Sequence, residues 1–112
     1  MKIEALEKFV DQVQKGAKLR DKPGMNVIVG SHRPISGGPS VPRQLTILLE
    51  DIVDQAMSPF KAHREYETLH PFQDGNGRSG RALWLWMMVR QNWDLSLGFM
   101  HEWYYQSLDQ SR

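Results

Sequence analysis

An all-α fold, a small helical bundle around a central buried helix with one short β-hairpin flap, is what these 112 residues predict. Three observations carry that expectation. Apolar residues recur every three or four positions over long stretches. Eight consecutive apolar residues, Ala82 to Val89, form one run. The β-branched cluster Val27-Ile28-Val29 is short and stands beside the turn pair Gly30-Ser31. With 40% apolar content the chain can bury one modest core and not two, so a single domain over residues 1–112 is expected.

Taken in order, Leu6, Phe9, Val10, Val13 and Ala17 mark one face of a first helix that Pro23-Gly24 breaks. Residues 25–43 then read as a hairpin followed by the loop Ser36-Gly37-Gly38-Pro39. Val41, Leu45, Leu48, Leu49, Ile52, Val53 and Ala56 predict a second helix to Met57. Ser58 suits the cap of a third helix and Pro59 its first position, because proline lacks a donor that would go unpaired there. That helix should end near His70, since Pro71 disfavours helical geometry in the residue before it. A fourth helix is expected from near Arg78, apolar all round from Ala82 to Val89 and central to the bundle. Leu97, Met100, Tyr104 and Leu108 suggest a last helix covering it.

Composition excludes several functions. A formal charge of +1 provides no field to gather nucleic acid or an anionic membrane, so any phosphate recognition must be local. The absence of cysteine rules out a disulfide framework, a thiolate nucleophile and a cysteine zinc site. The run Ala82–Val89 is far shorter than the roughly 20 residues of a membrane span. The first residues mix charge with apolar side chains and lack the apolar centre of a signal peptide, so a cytoplasmic location is expected.

The chemistry is concentrated in His70-Pro71-Phe72-Gln73-Asp74-Gly75-Asn76-Gly77-Arg78-Ser79-Gly80-Arg81. The start of a helix presents unpaired amides and the positive end of its dipole, and glycines let successive amides face one concavity. Arg78 and Arg81, three residues apart, are expected on one side of the first turn, where two guanidinium groups suit a polyphosphate. Asp74 offers the hard oxygen that magnesium takes alongside nucleotide phosphates. His70 can titrate near neutrality and accept the proton of an attacking hydroxyl. A calcium loop starting at Asp74 is rejected, because Leu85 stands where the bidentate glutamate belongs. His63, Glu67 and His70 share a helical face and could in principle bind a transition metal, but such a triplet reads more readily as solvated or core polar residues.

The segment resembles the Fic family signature His-x-Phe-x-(Asp or Glu)-Gly-Asn-Gly-Arg-x-x-Arg at every specified position. The resemblance implies His70 as base, Asp74 as magnesium ligand, Phe72 as the anchor of the loop, and Gly75, Asn76, Gly77 and Arg78 as an anion hole. It implies that Arg81 neutralises the terminal phosphates of ATP while AMP passes to a Ser, Thr or Tyr hydroxyl of a target protein. It also implies that the flap, Val27 to Ile35, docks the target by strand addition. His32 and Arg33 in that flap read as solvated.

Many relatives carry an inhibitory Ser/Thr-x-x-x-Glu-Gly/Asn helix. Only Thr46-x-x-x-Glu50 comes near it, and Asp51 follows, so no built-in inhibitor is expected; a toxin held by a separate antitoxin chain fits that pattern. The alternatives are a Doc-like protein kinase, another nucleotidyltransferase, or a non-catalytic nucleotide-binding module. Doc-like motifs carry Lys at the position of Gly77 and usually Ala at that of Gly75, which favours AMP transfer here. A homo-oligomer would offset the small size of the core.

Overall fold

The computed structural model describes residues 2–90. Four helices run through them: α1 (Ile3–Val13), α2 (Ser40–Val53), α3 (Pro59–Leu69) and α4 (Asn76–Arg90). The middle of the stack is α3, packed on α4 along one side and on α2 along the other, while α1 closes against α4 and α2. Leu6 and Val10 of α1, Leu45 and Leu49 of α2, Tyr66 of α3 and Met87 of α4 meet in one apolar cluster. All six are nearly inaccessible to solvent, which makes burial of this seam the main source of stability.

The helix boundaries follow local chemistry. α1 stops at Val13, four residues before Ala17, because Gly16 turns left-handed (φ 84°) and its amide is taken by Asp11 Oδ1 at 3.0 Å. α2 ends at Val53, short of Ala56 and Met57, where Gln55 adopts φ 55° and the Ala56 amide reaches back to Asp51 O. Ser58 caps α3 as expected, its hydroxyl accepting from the Lys61 amide at 3.2 Å with Pro59 next in line. α4 begins at Asn76, two residues ahead of the sequence expectation.

Two expectations are corrected. α4 is apolar all round from Ala82 to Val89, but among the described residues it is covered only toward α3 and α1: Leu83, Trp84, Met87 and Met88 are buried, whereas Leu85, Trp86 and Val89 are 49%, 41% and 58% exposed. Periodicity cannot tell which sides of an apolar helix have neighbours, and among the described residues only two sides do. The helix suggested by Leu97, Met100, Tyr104 and Leu108 lies outside the described residues.

The hairpin flap is the second correction: the described residues contain no strand. Val29 and His32 form a single antiparallel bridge, exchanging two backbone bonds of 2.9 Å across the Gly30-Ser31 turn. The ladder goes no further. Pro34 has no amide to extend it, and the flanking polar groups bond elsewhere: Asn26 Oδ1 accepts the Gly37 amide at 2.8 Å, and His32 Nε2 donates to Thr68 O at 2.9 Å. The open strand edge inferred for target docking is therefore absent from residues 27–35.

Gly37 and Gly80 permit the two closest approaches. A Cβ on Gly37 would stand 2.6 Å from Met25 O and 2.7 Å from Lys22 O, both backbone atoms that cannot turn aside. A Cβ on Gly80 would stand 2.6 Å from Glu67 Oε1 and 3.1 Å from Tyr66, at the α3–α4 contact. Gly37→Ala and Gly80→Ala should each lower the urea midpoint, by about 1–3 kcal/mol of stability. The Gly37 variant should lose more, because a carboxylate side chain can move and a carbonyl cannot.

Candidate active site

The site forms where the C-terminus of α3 meets the N-terminus of α4 across the loop 71–75. His70 is the hinge. It sits just after α3 with φ 49° and ψ 63°, a left-handed conformation that non-glycine residues adopt at a cost, and its amide still bonds Tyr66 O at 2.9 Å. The turn takes the side chain of His70 out of the helix row and leaves it half-buried at the edge of the junction.

The loop is held from both sides. Residues 18–20 run antiparallel to it, with the Arg20 amide on Pro71 O and the Gln73 amide on Lys18 O, each at 2.9 Å, about a bridge between Leu19 and Phe72. Phe72 is 1% exposed and joins the core cluster, which makes it an anchor of the loop. Asn76 closes the turn from within: its Oδ1 accepts the Phe72 amide at 3.0 Å and its Nδ2 donates to Phe72 O at 2.7 Å. Its amide side chain thus replaces a missing peptide partner and is spent on the fold.

Gly75 precedes α4 with φ 78°, and a Cβ there would meet Gln14 Cβ at 2.8 Å, so only glycine lets the turn lie against the end of α1. The amides of Asn76, Gly77 and Arg78 are the first of α4 and have no carbonyl to bond inside the helix. Gly77 keeps this end bare on the outside. The guanidinium of Arg81 folds back over it, so that a Cβ on Gly77 would lie 3.4 Å from Arg81 Nη1. Free amides, the positive helix end and one exposed guanidinium therefore converge on one small region.

Arg78 behaves differently from Arg81. Its Nη1 donates to Val13 O at 2.6 Å, capping the last turn of α1 sixty-five residues away in the chain. The two arginines expected on one side of the first turn are thereby separated: the side chain of Arg81 overlies the helix start, while that of Arg78 joins α4 to α1.

Asp74 is exposed beside the same helix end, with Oδ1 accepting the Gly75 amide at 2.8 Å. Among the described residues no three His, Cys, Asp or Glu side chains gather as a metal site. A cation at Asp74 would have to complete its shell with phosphate and water oxygens, and that ligand set fits a magnesium nucleotide.

Beneath the site lies a polar seam in which Tyr66 and Ser79, neither of them marked by the sequence, join His63 and Glu67. Ser79 donates to Gly75 O at 2.9 Å, so the Tyr66 hydroxyl, 2.6 Å away, donates to Ser79 Oγ. Burial, chiefly, pushes the Tyr66 hydroxyl well above its ordinary pKa and keeps it a donor. His63 and Glu67, 3.4 Å apart and buried, pack against Gly80 in the same seam. Ser79 and Gly80, two of the four unspecified positions of the motif, are both spent on the α3–α4 contact.

Arg20 is the other residue the sequence reading missed. It is fully buried, and among the described residues its bonds all go to carbonyls: Nε to His70 O (2.7 Å), Nη2 to Leu69 O (2.9 Å), and Nη1 to Ile35 O (2.8 Å) and Met25 O (3.1 Å). Burial lowers its pKa from the ordinary value, although a guanidinium keeps its proton throughout the working range. No local signal marks it, since an arginine next to Leu19 and Asp21 reads as surface. His32 was read as solvated and instead bonds the carbonyl of Thr68, two residues before His70. Thr46, part of the nearest approach to an inhibitory element, turns its hydroxyl to Pro42 O within α2, and Glu50 is exposed on that helix.

Residues 4–88 match the family model described as Fic, Fic/DOC family. No solved structure matches the chain.

The bonds of Asn76 predict the cost of removing them. Asn76→Ala strands a buried amide and a buried carbonyl of Phe72, and should cost about 2–4 kcal/mol in urea unfolding. Gly75→Ala, strained at its φ and crowded by Gln14, should cost about 1–3 kcal/mol.

Proposed function

The chain belongs to the Fic/DOC family, and from that premise we propose that it is a protein adenylyltransferase, moving AMP from magnesium ATP to a Ser, Thr or Tyr hydroxyl of a target protein. The observation that carries this reading is the meeting of two helix ends. α3 ends at His70, to which this reading gives the role of base, and α4 begins with amides overlain by Arg81, to which it gives the phosphates.

In this reading the polyphosphate lies across the start of α4. The amides of Asn76, Gly77 and Arg78 receive its oxygens, and Arg81 offsets the charge of the leaving pyrophosphate. Asp74 holds magnesium, which when bound neutralises phosphate charge. The target hydroxyl stands between His70 and the α-phosphorus. Its proton passes to the imidazole of His70 as its oxygen bonds to phosphorus, and the bond from phosphorus to the pyrophosphate oxygen breaks. The products are a protein phosphodiester of AMP and pyrophosphate.

The loop 25–35 is the docking place we assign to the target, because it is tied to the end of α3 beside His70 through His32 and Arg20. With no strand there, docking would depend on the exposed backbone and side chains around Ile28, which is 64% exposed. A role as a toxin, restrained by a separate antitoxin, accords with the place of Thr46 and Glu50 on α2.

Incubation of the protein with α-labelled ATP and magnesium in cell lysate should label a protein band. His70→Ala should lower the labelling rate about 10²- to 10⁴-fold. γ-Labelled ATP should give no band that depends on the added protein; a γ-labelled band that disappears with His70→Ala, without an α-labelled one, would replace this reading with that of a kinase. Chelation of magnesium should abolish labelling. Asp74→Ala should lower it about 10- to 100-fold at fixed magnesium, in part recoverable at higher magnesium.

A further inference from the structure

Among the described residues Arg20 is a buried cation whose bonds all go to carbonyl oxygens, and those oxygens belong to two separate pieces of chain. Two of them, on Leu69 and His70, end α3 and include the backbone of the base itself. The other two, on Met25 and Ile35, are the feet of the loop assigned to target docking. The planar fork of a guanidinium suits such a task, since its donors diverge in one plane at fixed angles.

We propose that Arg20 is a positioning residue of the transfer reaction, a single clip that fixes the left-handed backbone of His70 and both feet of loop 25–35 as one body. The proposal rests on the adenylyltransferase reading for the reaction, and on the bonds of Arg20 alone for the clip. Three facts favour a clip over a merely structural arginine. The left-handed turn at His70 carries a conformational cost that must be offset locally, and the bond from Arg20 to His70 O is the shortest Arg20 makes. The loop has one backbone bridge of its own, so its shape depends on ties made from outside it. Residue 20 itself is pinned to the motif loop, its amide on Pro71 O, and to the loop's far side, its carbonyl accepting from the Gly38 amide at 3.0 Å. Target placement and base placement are thus set by one side chain. None of these bonds touches the start of α4, so nucleotide binding should be indifferent to Arg20.

The test uses Arg20→Lys, which keeps the charge and loses the fork. Hydrogen exchange should accelerate about tenfold in residues 25–35 and 66–72 while residues 76–90 hold their protection. Affinity for a non-hydrolysable ATP analogue with magnesium, read by calorimetry, should stay within about twofold, and kcat for AMP transfer should fall about 100-fold, as misplacement of a reacting group predicts. Equal acceleration throughout the protein, or a fall in nucleotide affinity matching the fall in kcat, would make Arg20 a general support and overturn the proposal. So would unchanged exchange. Should the variant not fold, the wild type decides: the amides of Arg20, Gly38 and His70 should open together with a single free energy, and independent opening refutes the clip. Wild-type protein that transfers no AMP removes the reaction, and the positioning role with it, while the exchange result still judges the clip.

Discussion

One buried guanidinium organises the upper half of this molecule. Among the described residues no carboxylate pairs with Arg20, whose charge is met there by carbonyl dipoles, and two of these sit at the negative end of α3. A cation at a helix C-terminus is favourable, and burial strengthens the attraction because little water screens it. The same burial makes the arrangement exacting. Each carbonyl has given up water to face Arg20 and would be stranded without it. The turn at His70, the ends of the loop 25–35 and the strand-like stretch 18–20 are therefore parts of one arrangement that cannot be changed singly.

Around that point two helix ends of opposite polarity face the same junction. The negative end of α3 is satisfied by Arg20 and, through Thr68, by His32. The positive end of α4 has Asp74 beside it and the guanidinium of Arg81 above it. The consequence for function is direct. One end is closed by the protein's own side chains, and the other is left with amides that an anionic ligand can take. Asn76 keeps the five-residue loop between them rigid without using those amides, because its side chain bonds the backbone of Phe72 in both directions.

Much of this was legible in the sequence. The apolar faces of α1 and α2, the cap at Ser58 and the break at His70 before Pro71 follow from local rules, and the structure places them as those rules expect. What misled was always a question of partners. Val27-Ile28-Val29 has strand-forming residues, yet a strand needs an available neighbour, and the chain on either side is tied elsewhere, Met25 O and Ile35 O to Arg20 and the Gly37 amide to the side chain of Asn26. Arg78 and Arg81 have the spacing of a pair, yet the C-terminal carbonyl of α1 lies within reach of one of them. The run from Ala82 to Val89 says that α4 prefers to be buried and is silent on which neighbours cover it.

By itself the sequence determined the residue types that can take a proton, hold a hard cation and cradle phosphate, and it determined their order along a helix-loop-helix, because spacing, proline and glycine act within a few residues. Only the tertiary structure decided which of those side chains remain available. Asn76 and Arg78 are committed to the fold, Arg81 is left over the helix start, and Arg20 is enlisted from fifty residues away to hold His70. The physical reason is that a buried polar group is satisfied by whatever partner the packed chain brings near it, and that partner has no fixed distance in sequence.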